Sequence, residues 1–166
     1  DAAGAVVAQV GSNAASRLSL QEGDWVAIYG DGLIGQCASQ AVRGRGGRTI
    51  LIGRNSLRLG LAEAYSADRV INSRDGNVQD IIRECIGRES LVGIIDTIQN
   101  EHLQREYMNL LTSSTGTGQI VYAGFSPGKA WADMALLQQY EVTCHFISGY
   151  NRWRMEETLR WIGEGK

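Results

Sequence analysis

Short apolar segments alternate with longer amphipathic segments along almost the whole chain. The apolar segments are rich in Ile, Val and Leu, which is typical of strands that are buried on both faces. They predict strands at 25–30, 48–53, 68–72, 92–97, 118–123 and 142–147. The segments between them predict helices at 2–18, 34–45, 56–66, 77–87, 100–112, 132–140 and 152–164. This alternation predicts an α/β domain in which helices cover both faces of a doubly wound, six-stranded parallel sheet.

The turn after the first predicted strand has the spacing G-x-G-x-x-G, formed by Gly30, Gly32 and Gly35. Because it lies between an apolar strand and a helix, this spacing is the fingerprint of a dinucleotide-binding turn. Gly30 allows a tight turn, Gly32 lets a phosphate approach the backbone, and Gly35 lets the helix lie close to the strand. We therefore expect Gly30, Gly32, Leu33, Ile34 and Gly35 to hold a pyrophosphate at the helix N-terminus.

The fingerprint lies on the first of the six predicted strands. A sheet of this kind has the strand order 3-2-1-4-5-6, which is the Rossmann fold. Its order reverses between the first and fourth strands, and ligands bind outside the carboxyl ends of the strands at that point. We therefore expect a dinucleotide to lie across the carboxyl edge of the sheet.

Asp31, between the first two glycines, does not suit a phosphate-binding turn. A carboxylate and a phosphate repel each other at close range, so we expect the Asp31 side chain to face solvent. The alternative interpretation of the whole segment is a glycine-rich turn that joins a strand to a helix without binding a ligand.

The segment after the second strand lacks the acid that binds the adenosine ribose in NAD sites. No Asp or Glu occurs in residues 49–62, and the strand continues instead into Gly53, Arg54 and Asn55. A guanidinium binds a 2′-phosphate through charge-assisted hydrogen bonds. This segment therefore favours NADP(H), with NAD(H) as the alternative cofactor. The competing interpretation is that Arg54 is a solvated loop residue and that Asn55 or its neighbour only caps the next helix.

Weaker signals follow the fourth and fifth predicted strands. Thr97 follows the fourth strand and is a candidate to border the adenine or the nicotinamide ribose. Gly124 and Phe125 follow the fifth strand and are candidates to meet the nicotinamide carboxamide through backbone groups. Asp96 ends the fourth strand, where it has either a functional role or a turn role. We assign no catalytic residue from the sequence.

Composition and charge limit the function classes. The chain has 166 residues, which suits a single domain over 1–166, and its net charge of −2 without a broad basic face argues against a nucleic-acid partner. No apolar run reaches the length of a membrane span, so we expect no membrane partner.

The three cysteines lack the spacing of a metal clip, and we expect buried thiols in the reducing cytoplasm. Because the chain starts at Asp1, we expect a piece of a longer protein.

Several segments together resemble one known family, although each is weak alone. Residues 23–35 resemble the opening GD-x-V-x-V-x-G-x-G-x-x-G of the cofactor domain in medium-chain dehydrogenases and reductases, the zinc-type alcohol dehydrogenase family. Residues 64–72 resemble its A-x-x-x-GAD-x-V-I-N segment, with Ser66 in place of the usual glycine. Residues 92–96 and 118–124 resemble its V-D-x-V-x-D/E and G-x-I-V-x-x-G segments.

The resemblance implies an oxidoreductase that transfers a hydride between NADP(H) and an alcohol or carbonyl substrate. It also implies that this chain is the cofactor-binding domain of a two-domain enzyme whose β-rich catalytic domain lies elsewhere. NADP-using members resemble the chain at Gly53–Asn55, and Ser73 falls where such members often place another phosphate contact. Family members often pair through the edge strand of this sheet, so we expect a homodimer through residues 142–147.

The resemblance also raises the question of zinc, which part of the family holds mainly in the catalytic domain. Those members carry one ligand, a Cys or Asp, on the helix before the first strand. Counting back from Gly30 places this position near Ala5 or Val6, and neither can bind a metal. Asp1 is the only acid in this region and lies too far upstream. We therefore expect no metal site in this chain.

Two other functions stay open on the sequence alone. A non-catalytic regulatory Rossmann module would bind NAD(P) and change conformation without turnover. A methyl-transfer enzyme also has a glycine-rich first turn. That class, however, lacks the three-glycine spacing and usually keeps an acid after its second strand.

Overall fold

The structure is a computed structural model that describes residues 2–111, 118–125, 132–149 and 151–165. Six parallel strands form one sheet in the order β3-β2-β1-β4-β5-β6. This order confirms the predicted Rossmann fold. The strands are β1 (Trp25–Tyr29), β2 (Arg48–Gly53), β3 (Arg69–Asn72), β4 (Leu91–Asp96), β5 (Gln119–Tyr122) and β6 (Thr143–Phe146).

Helices alternate with these strands along the chain. They are α1 (Ala2–Arg17), α2 (Leu33–Gly44), α3 (Ser56–Tyr65), α4 (Val78–Ile86), α5 (Gln104–Leu111), α6 (Met134–Gln139) and α7 (Arg152–Gly163). None of the helices in the described ranges is long and apolar enough to cross a membrane.

Most elements begin and end within one or two residues of the predicted positions. The largest difference is in the predicted helix 100–112, which begins as a 3₁₀ turn at Glu101–Leu103 before α5. Asn100 caps this turn by accepting a hydrogen bond from the backbone N–H of His102 at 3.1 Å. Two positions named by the predictions, Asp1 and residue 112, lie outside the described residues.

A separate apolar core covers each face of the sheet. On one face, strand residues such as Ile50 and Ile94 pack with Ile82 of α4 and Leu110 of α5. On the other face, strand residues pack with helices α1 and α2, whose contributions include Ala14, Ala15, Ala38 and Val42. Strands buried on both faces explain why the apolar runs of the sequence do not alternate with polar residues.

The small residues of α1 allow it to lie very close to α2. A Cβ at Gly11 would lie 2.5 Å from the backbone nitrogen of Ala38, which is closer than atoms can approach. This contact holds α2 against the rest of the domain. It therefore fixes the position of the α2 N-terminus, which begins at the glycine-rich turn.

Candidate functional site

The turn after β1 is tied to the end of β4, where the strand order reverses. Gly30 follows β1 with φ of +117°, a conformation that L side chains rarely adopt. A Cβ at Gly30 would overlap the Oγ1 atom of Thr97. That Thr97 hydroxyl donates to the carbonyl of Tyr29 at 2.8 Å. The Thr97 hydroxyl therefore stabilises the turn after β1, and its contact with a cofactor stays a prediction.

The N-terminus of α2 opens onto the same edge of the sheet. Gly32 is its N-cap and supplies no side-chain hydrogen bond, and a Cβ at Gly32 would meet open space. Gly35 is buried, and a Cβ there would overlap the carbonyl oxygen of Gly30. Leu33 is exposed and Ile34 is half-buried. The first turn of a 12-residue helix is thus accessible to an anion, which its N–H groups and dipole would attract.

Asp31 does not face solvent, so this prediction was wrong. Its side chain is 12% exposed and turns towards the segment between β2 and α3. One carboxylate oxygen, Oδ2, accepts hydrogen bonds from the backbone N–H groups of Arg54 at 2.8 Å and Asn55 at 2.7 Å. The other, Oδ1, lies 3.6 Å from Nη1 of Arg58. Because β1 and β2 are neighbours in the sheet, the donors that follow β2 lie within reach of this carboxylate.

The environment of Asp31 keeps its carboxylate ionised. Burial by itself would raise the pKa of this group. Hydrogen bonds from the Asn55 and Arg54 amides, together with the charge of Arg58, outweigh burial and hold the pKa of Asp31 below its usual range. A negative charge is therefore fixed at the carboxyl ends of β1 and β2.

The segment between β2 and α3 is shaped by Gly53 and Asn55. A Cβ at Gly53 would overlap the side chain of Asp31, so only glycine leaves room for this carboxylate. Asn55 caps α3 by accepting a hydrogen bond from the N–H of Arg58 at 3.1 Å. The N–H of Ser73 donates to the carbonyl of Gly53 at 2.8 Å, which joins the end of β3 to this segment.

A cleft of about 1210 Å³ opens at the carboxyl ends of β1, β2 and β3. It brings together five of the predicted site residues, which are Gly30, Gly53, Arg54, Asn55 and Ser73. The other seven lie outside its lining, on the α2 turn or after β4 and β5, and these are Gly32, Leu33, Ile34, Gly35, Thr97, Gly124 and Phe125. The cleft is large enough for the adenosine half of a dinucleotide.

The cleft contains further groups that the sequence analysis did not assign to the site. The Tyr29 hydroxyl donates to Oε1 of Glu106 at 2.6 Å, and both residues line the cleft. Burial, and then this hydrogen bond to Glu106, raise the pKa of Tyr29. Asp31 and Arg58 also line it. One sequence signal could have identified Asp31. The predicted strand order places the turn that carries Asp31 beside the turn after the second strand, and that second turn lacks the acid found in NAD sites.

The loop after β4 is organised by Asp96, which has the turn role. Its carboxylate accepts the backbone N–H groups of Ile98 and Gln99, each at 2.8 Å. Burial raises the pKa of Asp96, and the two N–H bonds oppose that rise only in part. The N–H of Gly124 donates to the Asp96 carbonyl at 3.0 Å, and Phe125 is 92% exposed.

The described residues contain no group of three or more His, Cys, Asp or Glu side chains that could hold a metal ion. In α1, where a zinc ligand was considered, Ala5 is buried and Val6 is half exposed, and neither side chain has a donor atom. Ala5 and Val6 therefore cannot supply a zinc ligand.

A family model described as zinc-binding dehydrogenase matches residues 34–164. The chain belongs to the zinc-binding dehydrogenase family. The matched range begins inside the glycine-rich turn and extends through α7. This finding confirms the resemblance that the sequence segments indicated.

Two curated alcohol dehydrogenases are similar to this family member. The protein from Cupriavidus necator is 28% identical over 106 residues, which are 63% of this chain and 29% of that protein. The protein from Geobacillus stearothermophilus is 25% identical over 146 residues, 87% of this chain and 41% of that protein. The chain therefore spans less than half the length of these curated relatives.

Solved structures share the fold of the chain. A candidate alcohol dehydrogenase from Thermotoga maritima has a TM-score of 0.87 at 17% identity, covering 98% of this chain and 42% of that one. The rspB alcohol dehydrogenase from Escherichia coli, solved with NADH, has a TM-score of 0.80 at 22% identity, covering 97% and 47%. A candidate zinc-binding dehydrogenase from Sinorhizobium meliloti, solved with NADP, has a TM-score of 0.81 at 19% identity, covering 97% and 47%.

Proposed function

We propose that this chain holds a nicotinamide dinucleotide for an oxidoreductase that acts on an alcohol or carbonyl substrate. The observation that carries the proposal is the carboxyl edge of the sheet. There, an uncapped helix N-terminus and a large cleft adjoin the point where the strand order reverses. Family membership and the nicotinamide cofactors bound by two structural neighbours support the same function.

Different residues of the chain would bind different parts of the cofactor. The turn from Gly30 to Gly35 would hold the pyrophosphate through backbone N–H groups. Gly53, Arg54, Asn55 and Ser73 would border the adenosine end, in the cleft that they line. The nicotinamide end would lie towards the loops after β4 and β5, which carry Thr97, Gly124 and Phe125. The dinucleotide supplies the hydride, and the protein supplies its binding and orientation.

The expected preference for NADP(H) stays a prediction. Its support is Arg54, which directly follows β2 and is one of the residues that line the cleft. If Arg54 binds a 2′-phosphate, Arg54→Ala lowers the affinity for NADPH by about ten- to a hundredfold and that for NADH far less. Arg45→Ala is the matched control, because Arg45 is an exposed arginine at the other end of α2. An equal loss for both cofactors would contradict the prediction.

We also propose that the chain is the cofactor domain of a longer protein, whose further domain supplies the catalytic residues and any zinc. The chain covers 29% and 41% of the lengths of its two curated relatives. Substrate-dependent oxidation of NADPH or NADH by the longer protein tests for an enzyme. Cofactor binding without turnover would favour a regulatory module. A cytoplasmic location stays a prediction from the cysteine pattern.

The proposed homodimer uses residues 142–147. Strand β6 lies at the edge of the sheet, and its Phe146 is 75% exposed and stacks on Tyr122 with ring centroids 5.1 Å apart. An open strand edge with an exposed aromatic side chain is suited to pairing. Light scattering should show a dimer that Phe146→Lys converts to a monomer. A native monomer over the accessible concentration range would rule the dimer out for this chain.

Direct titration of the chain tests the proposed function. Binding is measured by calorimetry and by thermal unfolding, with NADH, NADPH and S-adenosylmethionine as separate ligands. Binding of either nicotinamide dinucleotide stabilises the folded chain and raises its melting temperature. Stabilisation by S-adenosylmethionine alone would indicate the methyl-transfer class. No binding of either nicotinamide dinucleotide would overturn the proposal.

A further inference from the structure

The turns after β1 and β2 together form a small anion site. Its donors are the backbone N–H groups of Arg54 and Asn55, with the guanidinium of Arg58 beside them. The anion that these donors bind is the carboxylate of Asp31, which belongs to the same chain. The site is thus built and filled by the protein itself.

The same donors suit a phosphate group. Backbone N–H groups and guanidinium groups bind phosphate oxygens through charge-assisted hydrogen bonds, as they bind a carboxylate. In this fold the end of β2 is where the adenosine ribose of a dinucleotide is held. A 2′-phosphate on that ribose would need the donors that Asp31 engages. It would also meet the negative charge of Asp31 at close range.

We propose that Asp31 is a specificity-determining residue that restrains the binding of 2′-phosphorylated dinucleotides. The inference rests on the proposed function, since it places a nicotinamide dinucleotide in the cleft. NAD(H) leaves the Asp31 hydrogen bonds in place, and the carboxylate keeps acceptor capacity for a ribose hydroxyl. NADP(H) must displace the carboxylate or bind beside it. Asp31 therefore opposes the attraction of Arg54 and Arg58 for the phosphate.

Gly53 makes this arrangement sterically feasible. The end of β2, which carries the ribose-binding acid in NAD sites, here carries a glycine whose missing Cβ leaves room for Asp31. The carboxylate thus reaches the end of β2 from the neighbouring turn. Gln36 links the turn after β1 to the first turn of α3, because its amide donates to the carbonyls of Asp31 at 3.3 Å and Arg58 at 3.4 Å.

Two substitutions of Asp31 test the inference, with the Kd of NADPH and of NADH measured by calorimetry on each chain. Asp31→Ala removes the charge and frees the donors, so the affinity for NADPH should rise by about tenfold or more while that for NADH changes by less than about threefold. Asp31→Asn keeps the shape and one acceptor oxygen, so the gain for NADPH should be smaller. If Asp31→Ala does not fold, Asp31→Asn decides the question.

Two controls test whether the effect of Asp31 is specific to this site. One accounts for the general change in net charge, and the other accounts for contacts with the nicotinamide half of the cofactor. Glu63→Gln removes one negative charge from an exposed position on α3, outside the cleft lining. It should leave the ratio of the two Kd values nearly unchanged. The fragments 2′,5′-ADP and 5′-ADP should show the same selectivity as the whole cofactors, since the effect lies at the ribose. Adding Arg58→Ala to Asp31→Ala should remove most of the gain for NADPH.

The outcomes distinguish this inference from the proposed function. Parallel changes in the two Kd values, or a weaker binding of NADPH to both Asp31 variants, would overturn the role of Asp31 and leave the proposed function standing. If the native chain and all variants bind neither dinucleotide, the proposed function itself is overturned.

Discussion

The side chain of Asp31 lies directly against the α-carbon of Gly53, where no Cβ would fit between them. Asp31 lies on the turn after β1, and Gly53 is the last residue of the neighbouring parallel strand β2. The contact allows the Asp31 carboxylate to reach the N–H groups of Arg54 and Asn55. Packing against Asp31 therefore explains the glycine at the end of β2.

This packing predicts that Gly53→Ala destabilises the chain. The added Cβ overlaps the Asp31 side chain close to its backbone, and overpacking of this kind costs about 1–3 kcal/mol in free energy of unfolding. Urea unfolding measures the change. The double variant Asp31→Gly with Gly53→Ala should recover part of it, because the overlapping side chain is gone.

Gly60→Ala is the matched control for this prediction. Gly60 lies inside α3, and a Cβ there meets open space. Alanine in a helix interior is favoured over glycine by about 0.5–1 kcal/mol, so this variant should be slightly more stable than the native chain. If Gly53→Ala behaves like Gly60→Ala, the contact with Asp31 is not a tight one.

The lowered pKa of Asp31 predicts a pH-dependent contribution to stability. The unfolded chain titrates this group near the ordinary value of 3.8, and the folded chain titrates it at a lower pH. The carboxylate therefore stabilises the fold fully above its unfolded pKa, and this stabilisation is lost as pH falls through the folded pKa.

Asp31→Asn measures that contribution. At neutral pH the variant should be less stable by about 1.5–3 kcal/mol, because hydrogen bonds to a charged acceptor are lost or weakened. The difference in free energy of unfolding should be constant from neutral pH down to about pH 5 and shrink below pH 4. A difference that stays constant into strong acid would contradict the ionised, hydrogen-bonded state of Asp31.

Alanine substitutions at two glycines of the turn after β1 should cause two different defects, one in stability and one in cofactor binding. Gly35→Ala forces a Cβ against the Gly30 carbonyl, a backbone atom that cannot move aside, so the variant should lose about 1–3 kcal/mol of stability or fail to fold. Gly32→Ala points a Cβ into open space and should fold normally, yet bind a dinucleotide about tenfold or more weakly because the methyl group obstructs the pyrophosphate. Thermal unfolding and calorimetry distinguish the two. Unchanged binding by Gly32→Ala would count against the pyrophosphate site.

The hydrogen bond of the Thr97 side chain predicts a loss of stability when its hydroxyl group is removed. Thr97→Val keeps the shape of the side chain but removes the hydroxyl that donates to the Tyr29 carbonyl at 2.8 Å. The variant should lose about 0.5–1.5 kcal/mol of stability, measured by urea unfolding. Thr143→Val, on the exposed side of β6, is the comparison and should change stability less. Equal effects would show that the Thr97 hydroxyl contributes nothing specific.

Much of the fold was predictable because its signals are local. The apolar runs at β2 and β4 are continuous since both faces of these strands are buried. The apolar segments on either side of Gly30, Gly32 and Gly35 predicted a strand, a tight turn and a helix, and all three are present. Helix ends were less accurate, as at Glu101–Leu103, because the terminal turn of a helix often tightens into a 3₁₀ turn.

The sequence by itself determined the succession of strands and helices along the chain, the family and the location of the glycine-rich turn. Each of these depends on residues that are close together in the chain. Only the tertiary structure decided what Asp31 does. Its partners, Arg54 and Asn55, lie more than twenty residues away in sequence, and they become neighbours only when β1 and β2 pair in parallel. A carboxylate that seemed unsuited to a phosphate-binding turn is held there because the next strand of the sheet supplies the N–H groups it needs.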